Sequence, residues 1–115
     1  MTETFINYID ECTEKLLQEE KKLAASDRKD EANLVKIRIN VYGICKIYFE
    51  TESKNKSGKE LQEVYPQRLE RLSEPWKISL EKAKEHEDTK KAVIEEIKLE
   101  TLEDIKNHFV KLWEE

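Results

Sequence analysis

Apolar residues recur along this chain at steps of three and four, and three short polar breaks divide the rhythm into four long segments. The breaks are Ala25-Ser26-Asp27, Lys54-Asn55-Lys56-Ser57-Gly58 and His86-Glu87-Asp88-Thr89. In the first segment Phe5, Ile9, Cys12, Leu16 and Leu23 form a seam flanked by Ile6, Leu17 and Ala24. In the third, Leu61, Tyr65, Leu69, Leu72, Trp76, Leu80 and Ala83 hold phase; in the fourth, Ile94, Ile97, Leu102, Ile105, Phe109, Leu112 and Trp113 do the same. This spacing predicts helices near residues 3–24, 27–53, 58–86 and 89–114, each roughly 30–40 Å long. Every break offers an N-cap: Ser26 or Asp27, Ser57, and Asp88 or Thr89. Ser57 and Glu60 also have the spacing of a capping box.

Two stretches resist the helical reading. Val35-Lys36-Ile37-Arg38-Ile39-Asn40-Val41 alternates as a strand does, which makes a hairpin turning at Gly43 the rival assignment. Tyr42-Gly43 and Gly43-Ile44 are poor two-residue turns, however, and a lone hairpin has no further strands to pair with. Leu34, Ile37, Val41, Ile44 and Tyr48 meanwhile step by three and four, so a helix is expected. Pro66 and Pro75 fall inside the third segment, where each removes a backbone donor and crowds the preceding turn. The apolar phase carries through both, which predicts a kinked helix, or a restart in phase near Tyr65, rather than a lost element.

Four helices of similar length with short links favour an all-α, antiparallel up-down-up-down four-helix bundle, with residues 1–115 forming one domain. No internal repeat is legible in the residues.

Composition narrows the function classes. The chain has 115 residues, 41% of them charged and 37% apolar, with only 2 Gly and 2 Pro to supply the turns of a many-stranded β fold. Its 26 acidic residues outnumber 21 basic ones, which disfavours nucleic acid as a partner, because a phosphate backbone demands a basic stripe. No apolar run is long enough for a membrane span. The opening Met1-Thr2-Glu3-Thr4-Phe5 is acidic where a secretory leader is basic, so a cytoplasmic protein with reduced Cys12 and Cys45 is expected. The sequon Asn55-Lys56-Ser57 is then a chance match.

Candidate chemistry is sparse. Neither His86 nor His108 has Glu three residues upstream, as a di-iron bundle needs, and Cys-x-x-Cys-His is missing. No Gly-x-Ser-x-Gly, phosphate loop or His-Glu-x-x-His is present, so no enzyme, cofactor or metal is assigned. Asp104 and His108 lie one turn apart. If facing residues of antiparallel first and fourth helices sum to roughly 117, Cys12 comes near Ile105, about a turn from His108. The same counting sets Glu20 against Lys98, both interrupting apolar faces. They either form a partly buried, register-fixing ion pair or extend separately into water. Arg38 should likewise approach Glu74. Cys12 and Cys45 are offset by ~9 Å along the axis, too far to bridge.

The second segment carries more apolar surface than two neighbours can cover. Beyond its main seam, Val35, Ile39, Tyr42 and Phe49 form a second stripe, Ile47 points elsewhere, and Gly43 offers a place for close backbone approach. That stripe either packs on another helix or docks a partner. The expectation is a small non-enzymatic protein acting through protein–protein contact, self-associating as a homodimer through this stripe. The alternative is a bundle that binds a small ligand or metal between its helices, with His108 and nearby polar groups lining the site.

Overall fold

The rhythm of three and four prevails over the alternation at Val35–Val41. In the computed structural model, which describes residues 2–114, that stretch and Gly43 both lie inside a continuous helix. The elements are α1 (Thr2–Ala25), α2 (Lys29–Asn55), α3 (Gly58–Glu85) and α4 (Thr89–Glu114), an all-α bundle with no strand among the described residues. α3 runs unbroken through Pro66 and Pro75. No helix among the described residues is long and apolar enough to cross a membrane.

The turns use the polar breaks differently from the sequence reading. Asp27 ends α1 instead of capping α2: its φ is 60°, in the left-handed region, and Arg28 N–H reaches back to the Leu23 carbonyl at 2.9 Å. This is the six-to-one closure of a Schellman motif. The α3–α4 turn repeats it, with Glu87 at φ 55° and Asp88 N–H on the Ala83 carbonyl at 2.8 Å. Ser57 makes no side-chain cap bond. Gly58 follows it at φ 55°, a conformation that lack of a Cβ makes accessible. Asp88 does cap, its Oδ1 accepting from Lys91 N–H at 3.1 Å.

The helices do not sit on a square. α2 and α4 lie side by side through the middle, α1 packs on α2, α3 packs on α4, and α1 hardly meets α4. The molecule is correspondingly flat, 43 × 35 × 22 Å. α2 and α4 run parallel, because Arg38 reaches Glu100 and Thr101 at one level while Phe49 meets Phe109 at another.

Two helical hairpins therefore make the bundle, and they repeat one another at an offset of 60 residues. Buried Phe5, Ile9, Tyr42, Cys45 and Phe49 correspond to buried Tyr65, Leu69, Leu102, Ile105 and Phe109. Lys46–Asp10 corresponds to Lys106–Glu70, and four backbone bonds of one Schellman turn recur at the same offset in the other. Few paired positions are identical (Ala32/Ala92, Ile37/Ile97, Lys46/Lys106 and Phe49/Phe109 among them), which hides the repeat from a reading of residue types.

Where the hairpins meet, four rings converge. Phe5–Phe49 and Tyr65–Phe109 centroids are 4.7 and 4.8 Å apart. The crossed pairs Phe5–Phe109 and Phe49–Tyr65, at 5.1 and 5.2 Å, meet edge to face. These are the separations and tilts that ring quadrupoles favour. Tyr65 alone carries a hydroxyl, which donates to the Cys45 carbonyl at 2.8 Å.

This arrangement accounts for the apolar girth of α2. The helix contacts three others, so it needs apolar residues on three sides. Val35, Tyr42 and Phe49 are buried and Ile39 is half-buried, so the stripe expected as a docking surface belongs largely to the interior. Gly43 also departs from expectation, since a Cβ there would meet nothing within 4 Å. Gly43→Ala should therefore raise stability by about 1 kcal/mol, by removing backbone freedom from the unfolded chain. A urea midpoint that fails to rise would show that the position needs its glycine.

Candidate functional site

The bundle's interior is nearly all apolar, so side chains with usable chemistry stand out by location. The α1–α4 seam holds most of them. Tyr8 of α1 lies face to face with His108 of α4, centroids 3.6 Å apart and planes 5° from parallel. Tyr42 of α2 stands behind Tyr8, ring centroids 6.3 Å apart. One turn along, Cys12, Lys15, Leu16, Arg38, Tyr42, Thr101 and Asp104 line an opening of ≈ 240 Å³. The Arg38 guanidinium donates to Thr101 Oγ1 at 3.2 Å and lies 3.7 Å from a Glu100 carboxylate oxygen. Thr101 Oγ1 in turn donates to the Ile97 carbonyl at 2.7 Å.

Both phenols are held neutral. Burial pushes Tyr8 above its ordinary range; Cys12 and Asp104 add to this, while a hydrogen bond with Tyr42 opposes it. Burial pushes Tyr42 up much further, helped by its hydrogen bond with Tyr8 and by the Cys12 thiol. The site thus offers three hydroxyls (Tyr8, Tyr42 and Thr101), a thiol, a guanidinium, an ammonium and a carboxylate beside the Leu16 side chain.

The other hairpin supplies an internal control. At the 60-residue offset Cys12 becomes Leu72, Leu16 becomes Trp76, Arg38 becomes Lys98 and Tyr42 becomes Leu102. Thr101 and Asp104 correspond to Val41 and Ile44. One frame has therefore been filled in two ways: the positions that line this opening with polar groups become aliphatic and indole groups in its twin, except that Arg38 becomes Lys98.

The remaining sequence-based placements fare unevenly. Glu20 pairs with Lys36 on its own hairpin partner at 3.7 Å, and Lys98 pairs with Glu95 at 3.1 Å and lies over the Trp76 ring. Of the two alternatives for Glu20 and Lys98, the mutual pair does not form, because α1 and α4 are too weakly apposed to face each other along their length. Arg38 meets Glu100 rather than Glu74 because the neighbour on that side of α2 is α4. Cys12 does approach the fourth helix near the expected level, beside Thr101 and Asp104. Tyr8 is the member of the seam that the sequence reading lacks; its signal is a polar-tipped ring at the border of the α1 apolar face, one turn before Cys12.

Cys12 and Cys45 are both free. Cys45 is fully enclosed and burial pushes its thiol up to about 12, which keeps it protonated and unreactive at neutral pH. Native protein should therefore give up one thiol, Cys12, to a colorimetric disulfide reagent, and the second only after denaturation. Simultaneous reaction of both would contradict the enclosure of Cys45.

No group of three or more His, Cys, Asp or Glu residues among those described is arranged to hold a metal ion. A larger apolar cleft of ≈ 360 Å³ lies between the first turns of α2 and α4, lined by Leu34, Ile37, Val93 and Ile94 with Asp30 and Lys90 at its rim. Compared with protein-family models, curated proteins and solved structures, the chain matches none.

Proposed function

We propose that this chain is a cytoplasmic, non-enzymatic binding protein that takes a small polar molecule into the α1–α4 seam. One observation carries the reading: a cluster of hydrogen-bonding side chains lines an opening there, whereas at the 60-residue offset the equivalent positions are all apolar except Lys98. Neutral phenols and a paired guanidinium are suited to holding a ligand by hydrogen bonds, and their raised pKa values argue against proton transfer as their task. Native mass spectrometry of protein purified from its own host should reveal a bound small molecule. Thermal shifts with a panel of polar metabolites should identify its class. Arg38→Gln combined with Tyr42→Phe should abolish the shift, while Trp76→Leu in the opposite hairpin should leave it. A shift that survives the double substitution would refute the assignment.

A second reading, contact with another protein or a second copy, rests on a different residue from the one expected. Ile47 is 60% exposed and lies one turn from Gly43 on the outer strip of α2. Light scattering should then show a dimer that Ile47→Glu dissociates.

A further inference from the structure

The α2–α3 seam, twin of the pocket just described, carries its own chemistry. At the 60-residue offset Arg68 takes the place of Tyr8 and Tyr48 that of His108, and a contact over the ring persists: the Arg68 guanidinium carbon lies 4.7 Å from the Tyr48 ring centroid. Arg71 stands one turn further along α3. Both line an opening of ≈ 230 Å³ with Tyr48, Leu72 and Pro75.

Neither guanidinium has a carboxylate within 4.0 Å among the described residues, whereas the other two arginines, Arg28 and Arg38, each have one. Glu52, which shares an adjoining ≈ 50 Å³ depression with the two arginines, is engaged with Lys56 at 3.0 Å. Like charges one turn apart on a helix repel each other. Arg68 is moreover held over an aromatic face, and a guanidinium kept in place loses less entropy on forming paired hydrogen bonds. Leu72 and the Pro75 ring give the opening an apolar floor.

We infer that the α2–α3 seam binds a small organic anion, a carboxylate or phosphate monoester on a compact apolar body. The anionic oxygens bridge Arg68 and Arg71, and the body lies on Leu72 and Pro75. This site is separate from the α1–α4 pocket and stands whether or not that pocket takes a ligand. The overall acidity of the chain excludes long polyanions but not a singly engaged small one.

The test is an NMR titration of the full-length protein with phenyl phosphate, with inorganic phosphate run in parallel. Phenyl phosphate should move the Tyr48 ring and arginine Nε–Hε signals together and saturably, and more weakly as salt rises. In R68Q/R71Q, with helical circular dichroism intact, affinity should fall at least about tenfold, as expected on losing a charge-assisted pair. Tyr48→Leu, which keeps both charges but removes the ring beneath Arg68, should also weaken binding. Inorganic phosphate should bind less tightly than its phenyl ester. Equal affinity in wild type and R68Q/R71Q, or shifts spread over cationic residues of all four helices, would overturn the site. Inorganic phosphate binding as tightly as the ester would remove the apolar part of the assignment.

Discussion

Phe49→Ala and Phe109→Ala will each lower the free energy of unfolding by about 3–5 kcal/mol, and by nearly the same amount. The two rings occupy equivalent places in the four-ring cluster, each packed on its own hairpin partner and set edge to face against the other hairpin. Both are almost fully buried, so truncation removes apolar contact and leaves a cavity that two packed helices cannot close. A domain of this size is stable by only about 5–15 kcal/mol, so either change consumes a large part of the total. Urea unfolding followed by helical circular dichroism is the measurement. If the Phe49 stripe were a docking surface, Phe49→Ala would instead leave unfolding unchanged and alter only the state of association. A loss at Phe49 far from that at Phe109 would break the equivalence of the hairpins.

Glu95→Leu will raise stability, by about 1–3 kcal/mol. Glu95 sits in the interior at the position where the first hairpin carries Val35, with 6% of its side chain exposed. Lys98 Nζ lies 3.1 Å from Oε1, but Oε2 is buried with no partner. A carboxylate half satisfied in an apolar interior costs more than its single ion pair returns, and leucine is close to glutamate in volume. Lys98 keeps access to water and the Trp76 ring after the change, so no new charge is stranded. The reciprocal Val35→Glu should destabilise, since no lysine stands at the equivalent spot; Arg38 there is engaged with Thr101 and Glu100. A lower urea midpoint for Glu95→Leu would mean the carboxylate supports the fold through an interaction yet to be identified.

The α1–α4 pocket was legible in parts. Cys12 could be brought near the fourth helix by counting residues around antiparallel hairpins, and Asp104 and His108 could be recognised as one turn apart. Tyr8 and Tyr42 were not drawn into that group. An aromatic residue at the margin of an apolar face reads equally well as core; the opposing His108 ring distinguishes Tyr8, and the ring contact with Tyr8 distinguishes Tyr42. The arginine pair was harder still. Arg68 and Arg71 look like any solvated helix face until the lack of a counter-charge and the Tyr48 ring beneath Arg68 are both known.

Helical class, segment number, break positions and the failure of the cysteines to bridge all follow from the residues alone. They depend on spacing of 3.6 residues per turn and on the reach of the chain, which are local properties. Which helices became neighbours did not follow. Apolar faces specify that burial must occur, without specifying the partner, so a square and a flattened bundle satisfy the same pattern. Tertiary packing placed α2 and α4 at the centre, and from that choice came the burial of Tyr42 and Phe49, the re-pairing of Glu20 and Arg38, and two related seams with different chemistry.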